Sequence, residues 1–274
     1  MLMFRGVRLL LIVLALSFSV GCGKRVRSEA AETLPADALY AEAKRSLDHR
    51  QYDRSIKFYQ RLVARFPFGS YHEQGQIDLA YALYKTSKPD DAISAVNRFI
   101  KLYPTHPRID YAYYLRGLIN FNRKNGFFAR HFSRDFTRSD LQYIRQSFQD
   151  FGELVDRYPQ SSYAPDARQR MIFLRNGLAE GEMMVAGYYF RRHAYVAAAT
   201  RATLVLEAYQ ESPRAGDALA MLAESYQRLG QQQLADDAKR VLKLNYPEHP
   251  YFAGKWPAKN SRWRQLNPFA SNKG

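Results

Sequence analysis

The chain has 274 residues, 46% hydrophobic and 24% charged, enough for one large or two small folded units. Its 41 lysines and arginines against 26 acids give a formal charge of +15, which points to an anionic partner, with nucleic acid the first candidate. The amino terminus argues against that candidate, because it reads as an address to a compartment without nucleic acid.

Residues 1–21 have the build of an export signal. Arg5 and Arg8 supply its positive start, and Leu9 to Val20 form a largely apolar run. The run is too short to cross about 30 Å of hydrocarbon as a helix. Gly21 and the single cysteine, Cys22, follow as at a processing site. Ser19-Val20-Gly21-Cys22 resembles the lipobox of bacterial lipoproteins, with Ser19 where leucine is usual. That resemblance implies a covalent lipid on Cys22 and no other cofactor; an ordinary secretory signal with a coincidental cysteine is the alternative. A lipidated Cys22 removes the thiol, and with it disulfides, thiol catalysis and thiolate-bound metal. In lipoproteins an aspartate after the cysteine marks inner-membrane retention, so Gly23 implies the outer membrane. Residues 22–35, with Lys24, Arg25 and Arg27, read as a flexible tether whose cations face anionic head groups.

From Ala36 the chain becomes periodic. Four segments run into an aromatic–proline pair: Phe66-Pro67, Tyr103-Pro104, Tyr158-Pro159 and Tyr246-Pro247. Proline cannot continue a helix and restricts the residue before it, so each pair marks a helix end. Ahead of each lies a small–large–large spacing suited to one helix face: Ser55, Tyr59, Leu62; Ala92, Val96, Phe99; Ser147, Phe151, Leu154; Ala235, Lys239, Leu242. A second helical segment precedes each stripe. The pattern resembles the tetratricopeptide repeat, with units beginning near Ala36, Glu73, Asp110, Ala179 and Gly216. The unit near Ala179 carries Gln210 where proline is expected, and Ser212-Pro213 then starts the next helix. The expected fold is an all-α, right-handed α-solenoid of about five helix pairs. Repeats one to three occupy 36–178, with an insertion at about 122–140, and repeats four and five occupy 179–249. A generic helical bundle is the alternative.

In such arrays the first helix of each unit lines a groove. Carried across, that face holds Tyr40, Lys44 and Leu47, then Ile77, Tyr81, Tyr84 and Lys85, then Tyr111, Tyr114, Leu118 and Phe121. Tyrosine offers apolar area at low entropy cost and keeps a hydroxyl for hydrogen bonds, which suits a peptide groove. Lys44 and Lys85 could hold a terminal carboxylate. Packing between neighbouring helices is the alternative for each tyrosine.

The insertion interleaves Arg130, Arg134, Asp135 and Arg138 with phenylalanines, a composition that suits a protein partner or a solvated cap. The tail from Pro250 is basic, holds Trp256 and Trp263, and loses the helical period, so 250–274 is expected to be disordered. No histidine stands in a metal-binding motif, and no nucleophile elbow or phosphate loop is present. His106, in the turn Pro104-Thr105-His106-Pro107, reads as structural. Neither a catalytic nor a metal residue is assigned.

Two strings carry a closer resemblance. Arg65-Phe66-Pro67-Phe68-Gly69-Ser70-Tyr71 resembles the end of unit one in the BamD family, lipoproteins of the β-barrel assembly machinery. Pro104 to Tyr111, followed by Arg116-Gly117-Leu118, is similar to that family's entry into unit three, and Arg134-Asp135 to its basic–acidic loop. The resemblance implies a lipid-anchored scaffold on the periplasmic face of the outer membrane and no enzyme. Its implied partners are the barrel-forming insertion subunit with POTRA domains, held by the C-terminal repeats, the other Bam lipoproteins, and unfolded outer-membrane proteins in the N-terminal groove. No nucleic acid is among them. A pilotin-type repeat lipoprotein for secretin or pilus assembly, which should lack these strings, is one alternative, and a peptidoglycan-linked enzyme or its activator is another.

Overall fold

The computed structural model describes residues 33–123 and 138–257. The export signal with Cys22, the insertion residues Arg130, Arg134 and Asp135, and the tail from Ala258 lie outside the described residues. Arg138 opens a helix, but its side chain is outside the description.

Among the described residues there are ten α-helices and no strand: α1 Ala36–Asp48, α2 Tyr52–Arg65, α3 Ser70–Lys85, α4 Pro89–Leu102, α5 Ile109–Asn122, α6 Arg138–Arg157, α7 Ala164–Arg191, α8 Tyr195–Ala208, α9 Ala215–Arg228 and α10 Gln232–Asn245. They form two compact units that meet at Ala112 and Tyr113, within α5. In the first, α1 packs on α2, α2 on α3, α3 on α4, and α1 touches α3. In the second the same rule joins α6 to α7, α7 to α8, α8 to α9 and α9 to α10, and α7 touches α9. Within each unit these successive helices pack in order, and one next-but-one contact joins the first helices of neighbouring pairs, as stacked helix pairs require.

The stripes read from the sequence are the core. Ser55, Tyr59, Leu62, Ala92, Val96, Phe99, Ser147, Phe151 and Leu154 are all fully buried. In α8 the buried set is Ala198, Ala199, Ala202 and Val205. Lys239 is the exception: α10 buries Ala235, Ala238 and Leu242 instead, while the Lys239 ammonium donates to Gln227 Oε1 at 3.0 Å at the surface.

Two turns are used repeatedly. Between the helices of a pair, Arg50, Ser87, His193 and Gly230 take φ of 58°, 56°, 61° and 72°. The amide after each closes a ring to the carbonyl five residues back: Gln51 to Ser46, Lys88 to Leu83, Ala194 to Tyr189 and Gln231 to Tyr226, at 2.8–3.1 Å. This is the left-handed C-terminal cap, with glycine in one case of four. Between pairs, Tyr103, Tyr158, Tyr209 and Tyr246 accept an amide from His106, Ser161, Ser212 and His249. Those four side chains in turn accept the amide two residues on, at Arg108, Tyr163, Arg214 and Tyr251, over 3.0–3.3 Å. Serine and histidine are interchangeable there because each offers one acceptor at the same reach. His106 therefore caps a turn, and Tyr209-Gln210 makes the same turn without proline.

Two expectations need correction. The unit placed near Ala179 begins at Ala164: α7 runs for 28 residues, about 42 Å at 1.5 Å per residue, and passes through the boundary expected at 178/179. Gly177, Gly181 and Gly187 lie inside it as buried positions and do not break it. The tail expected to be disordered from Pro250 is folded as far as Pro257. Tyr251 and Trp256 pack on Leu219, Ala220 and Leu242, the Trp256 indole N–H donates to Asp217 Oδ1 at 2.7 Å, and the Tyr251 hydroxyl donates to Glu224 at 3.3 Å.

Candidate functional site

In the first unit Tyr40 and Tyr59 converge on one acid. Asp78, in the third turn of α3, is 7% exposed. Its Oδ2 accepts the Tyr40 hydroxyl at 3.0 Å and the Tyr59 hydroxyl at 3.4 Å. Its Oδ1 accepts Gln74 Nε2 at 3.0 Å and Arg108 Nη1 at 3.4 Å. Burial, with the Asp78 charge beside them, pushes both phenols up, so Tyr40 and Tyr59 stay protonated and keep donating. The Arg108 guanidinium lies 4.8 Å from the Tyr111 ring centroid, within the range of a cation–π contact. Tyr71, 43% exposed, sits 5.5 Å from Tyr40 between ring centroids. Phe68, 89% exposed, stands in the turn just before α3.

The second unit repeats the arrangement with other residues. The Tyr114 hydroxyl donates to Asp166 Oδ2 at 2.6 Å, and Arg170 donates to the same carboxylate through Nε at 2.5 Å and Nη2 at 3.4 Å. Burial alone would raise the Asp166 carboxyl, but the hydrogen bonds from Arg170 and Tyr114 outweigh it and hold it below its ordinary value. The same bond and burial push the Tyr114 phenol up to about 12. Tyr114 stacks on Tyr163 at 4.8 Å, and the Arg170 guanidinium lies 4.8 Å from the Phe121 ring. Phe121 also meets Phe151 and Phe173 at 6.3 and 6.0 Å. Unlike Asp166, Asp150 is buried; it accepts Asn120 Nδ2 at 2.7 Å and Gln146 Nε2 at 3.2 Å, and pairs with Arg116 at 2.9 Å. Burial raises its carboxyl in spite of those partners.

The expected groove residues divide accordingly. Tyr40, Tyr81, Tyr84, Tyr111, Tyr114, Leu118 and Phe121 are half-buried, between core and water. Leu47 and Ile77 belong to the core, at 9% and 0% exposure, and not to a groove wall. Lys44 is paired with Asp48 at 2.5 Å on its own helix. Lys85 lies 5.9 and 6.0 Å from the Tyr52 and Tyr81 rings, and no carboxylate among the described residues pairs with it. Tyr40 and Tyr111 in the first unit, and Tyr114 and Phe121 in the second, belong to two clusters, each tied to a carboxylate and an arginine absent from the groove set read from the sequence, whereas Tyr81 and Tyr84 meet each other at 6.3 Å beside Lys85. One signal existed: Asp78 is the lone acid in Ile77-Asp78-Leu79-Ala80, an otherwise apolar stretch. Its partners are 38 and 30 residues away, beyond any local pattern.

Among the described residues no group of histidines, cysteines and acids could hold a metal ion, and no helix is long and apolar enough to cross a membrane.

The outer membrane lipoprotein family model, YfiO, matches residues 32–241. The chain is 44% identical over 272 residues to the outer membrane protein assembly factor BamD of Xylella fastidiosa (strain Temecula1 / ATCC 700964), covering 98% of this chain and 93% of that relative. It is 43% identical over 227 residues to the BamD of Neisseria meningitidis serogroup A, covering 83% and 85%. Against the BamD of Vibrio cholerae serotype O1 it is 35% identical over 233 residues, covering 85% and 96%. The match begins ahead of α1 and ends within α10, spanning both aromatic clusters, and the chain therefore belongs to the outer membrane lipoprotein family YfiO, which it shares with the BamD assembly factors.

Proposed function

We propose that this chain is an assembly factor for outer membrane proteins that works by binding proteins, without covalent chemistry. One observation carries the reading: relatives named for that role match it at 35–44% identity through both compact units. A lipid on Cys22 would hold it at the periplasmic face of the outer membrane, and the basic tether would lie against the head groups. The C-terminal repeats would bind the POTRA region of the barrel-forming subunit, accessory lipoproteins would attach beside it, and unfolded barrel proteins would dock on the aromatic clusters. Holding substrate and insertion subunit on one scaffold raises their effective concentration, so weak affinity for each would suffice.

The test is a mild-detergent pull-down of the tagged lipoprotein from outer membranes, with partners identified by mass spectrometry. Recovery of the POTRA-bearing subunit is the expected result. Recovery of a secretin, or of cell-wall enzymes without that subunit, would replace the reading with a pilotin or a peptidoglycan-linked role.

A further inference from the structure

Arg108 and Arg170 stand in similar settings, one in each compact unit, although the side chain of the paired acid is 9% exposed in the first and 45% in the second. In both, a tyrosine hydroxyl donates to a carboxylate, the carboxylate pairs with the arginine, and the guanidinium lies 4.8 Å from an aromatic ring. The two sets share no local sequence motif. Asp78 lies 30 residues before its arginine, whereas Asp166 lies four before its own.

The chemistry of such a set is specific. Each carboxylate cancels the charge of its arginine, so neither site carries a surplus cation. Each guanidinium nevertheless keeps donors to spare out of its five N–H groups. Arg108 gives one nitrogen to Asp78 and its side chain stays 40% exposed; Arg170 gives two to Asp166 and stays 28% exposed. A carboxylate ligand would meet a resident acid within one side chain's length, which costs what the arginine offers. A neutral, strong acceptor meets no such penalty.

We propose that Arg108 and Arg170 donate to main-chain carbonyls of an extended polypeptide, with Tyr71 beside the first site offering an open ring face to its side chains. This rests on the reading of the chain as a binder of unfolded proteins and deepens it: the contact reads backbone, and so tolerates different sequences. Lys44, tied to Asp48, and Lys85, lying over Tyr52 and Tyr81, take no part.

The test uses the full-length protein in detergent and two fluorescent probes: a short acetylated, amidated peptide of alternating tyrosine and threonine, and the same peptide with a free terminal carboxylate. The two should bind the unsubstituted protein equally, with little change on raising the salt. Arg108→Lys and Arg170→Lys keep the charge but lose the planar fork, and each should weaken both probes by about fivefold. Asp78→Asn keeps an acceptor for Tyr40 but leaves Arg108 uncompensated, so the free acid should then bind about fivefold better than the amide. Lysine variants that bind like the unsubstituted protein, or a free acid already preferred by that protein in a salt-sensitive way, overturn the carbonyl assignment while binding itself stands. Failure of the unsubstituted protein to bind either probe overturns the peptide-binding reading as well.

Discussion

Gly117 and Phe151 show how tightly single positions are fixed. A Cβ added at Gly117 would lie 2.6 Å from two carbons of the Phe151 ring, and that ring, fully buried, has no room to yield. Gly117→Ala should therefore cost about 1–3 kcal/mol in urea unfolding, although alanine is the better helix former. Gly152 is the control: its nearest neighbour would be the Met171 methyl at 3.5 Å, so Gly152→Ala should gain roughly 0.5–1 kcal/mol. Tyr114 sets a pH limit of its own. Its phenol is raised from 10.0 to about 12 by burial and by Asp166, so the folded state holds a proton that the unfolded chain releases. The stability this contributes is fully present below about pH 10 and is lost as pH rises through about 12. Urea unfolding followed across that range should lose part of its alkaline slope in Tyr114→Phe, and tyrosinate absorbance should show a late-titrating group that the variant lacks.

At the level of elements, the turn within a helix pair is the most regular feature and the least suited to its residues. Arg50 holds φ of 58° where Gly230 holds 72° in the equivalent place. A side chain pays roughly 1–2 kcal/mol for that conformation, so Arg50→Gly should raise stability by about 0.5–1 kcal/mol after glycine's greater unfolded freedom is counted. Gly230→Ala should lower it by about 1 kcal/mol, both read from the midpoint of urea unfolding. Helix ends were legible in the sequence because proline and the small–large–large spacing act locally. The length of α7 was not, because after Pro165 in its first turn no proline stands before Arg191 and its three glycines, Gly177, Gly181 and Gly187, stay helical and buried. The site was legible in half. Aromatic residues betray themselves by type, but Ile77 and Asp78 differ by one position, about 100° around the helix, and that step separates core from site. Arg108 reaches Asp78 only once α3 and the turn before α5 are folded together.

Across the whole molecule, the net charge of +15 says little about where partners bind, since the arginines of both clusters are neutralised by resident acids. The carboxyl end says more. Residues 246–257 repeat the turn that opens α5, α7 and α9, down to the histidine cap, and then lay Tyr251 and Trp256 over the face that a following helix would cover. Trp256→Ala should cost about 2 kcal/mol and release the amides of α10 to hydrogen exchange before those of α8.

That stub covers part of the apolar face of the last described helix pair. A stacked helix pair always leaves an apolar face for another, and nothing in its own packing says where to stop. Here Tyr246-Pro247-Glu248-His249-Pro250 repeats the turn that elsewhere opens a helix pair, and the residues after it lay two aromatic rings on Leu219, Ala220 and Leu242. Two rings thus do for α9 and α10 what one helix does for its predecessor in a stack. Grafting an α9-like helix in place of Phe252 to Pro257 is the change by which such an array would lengthen.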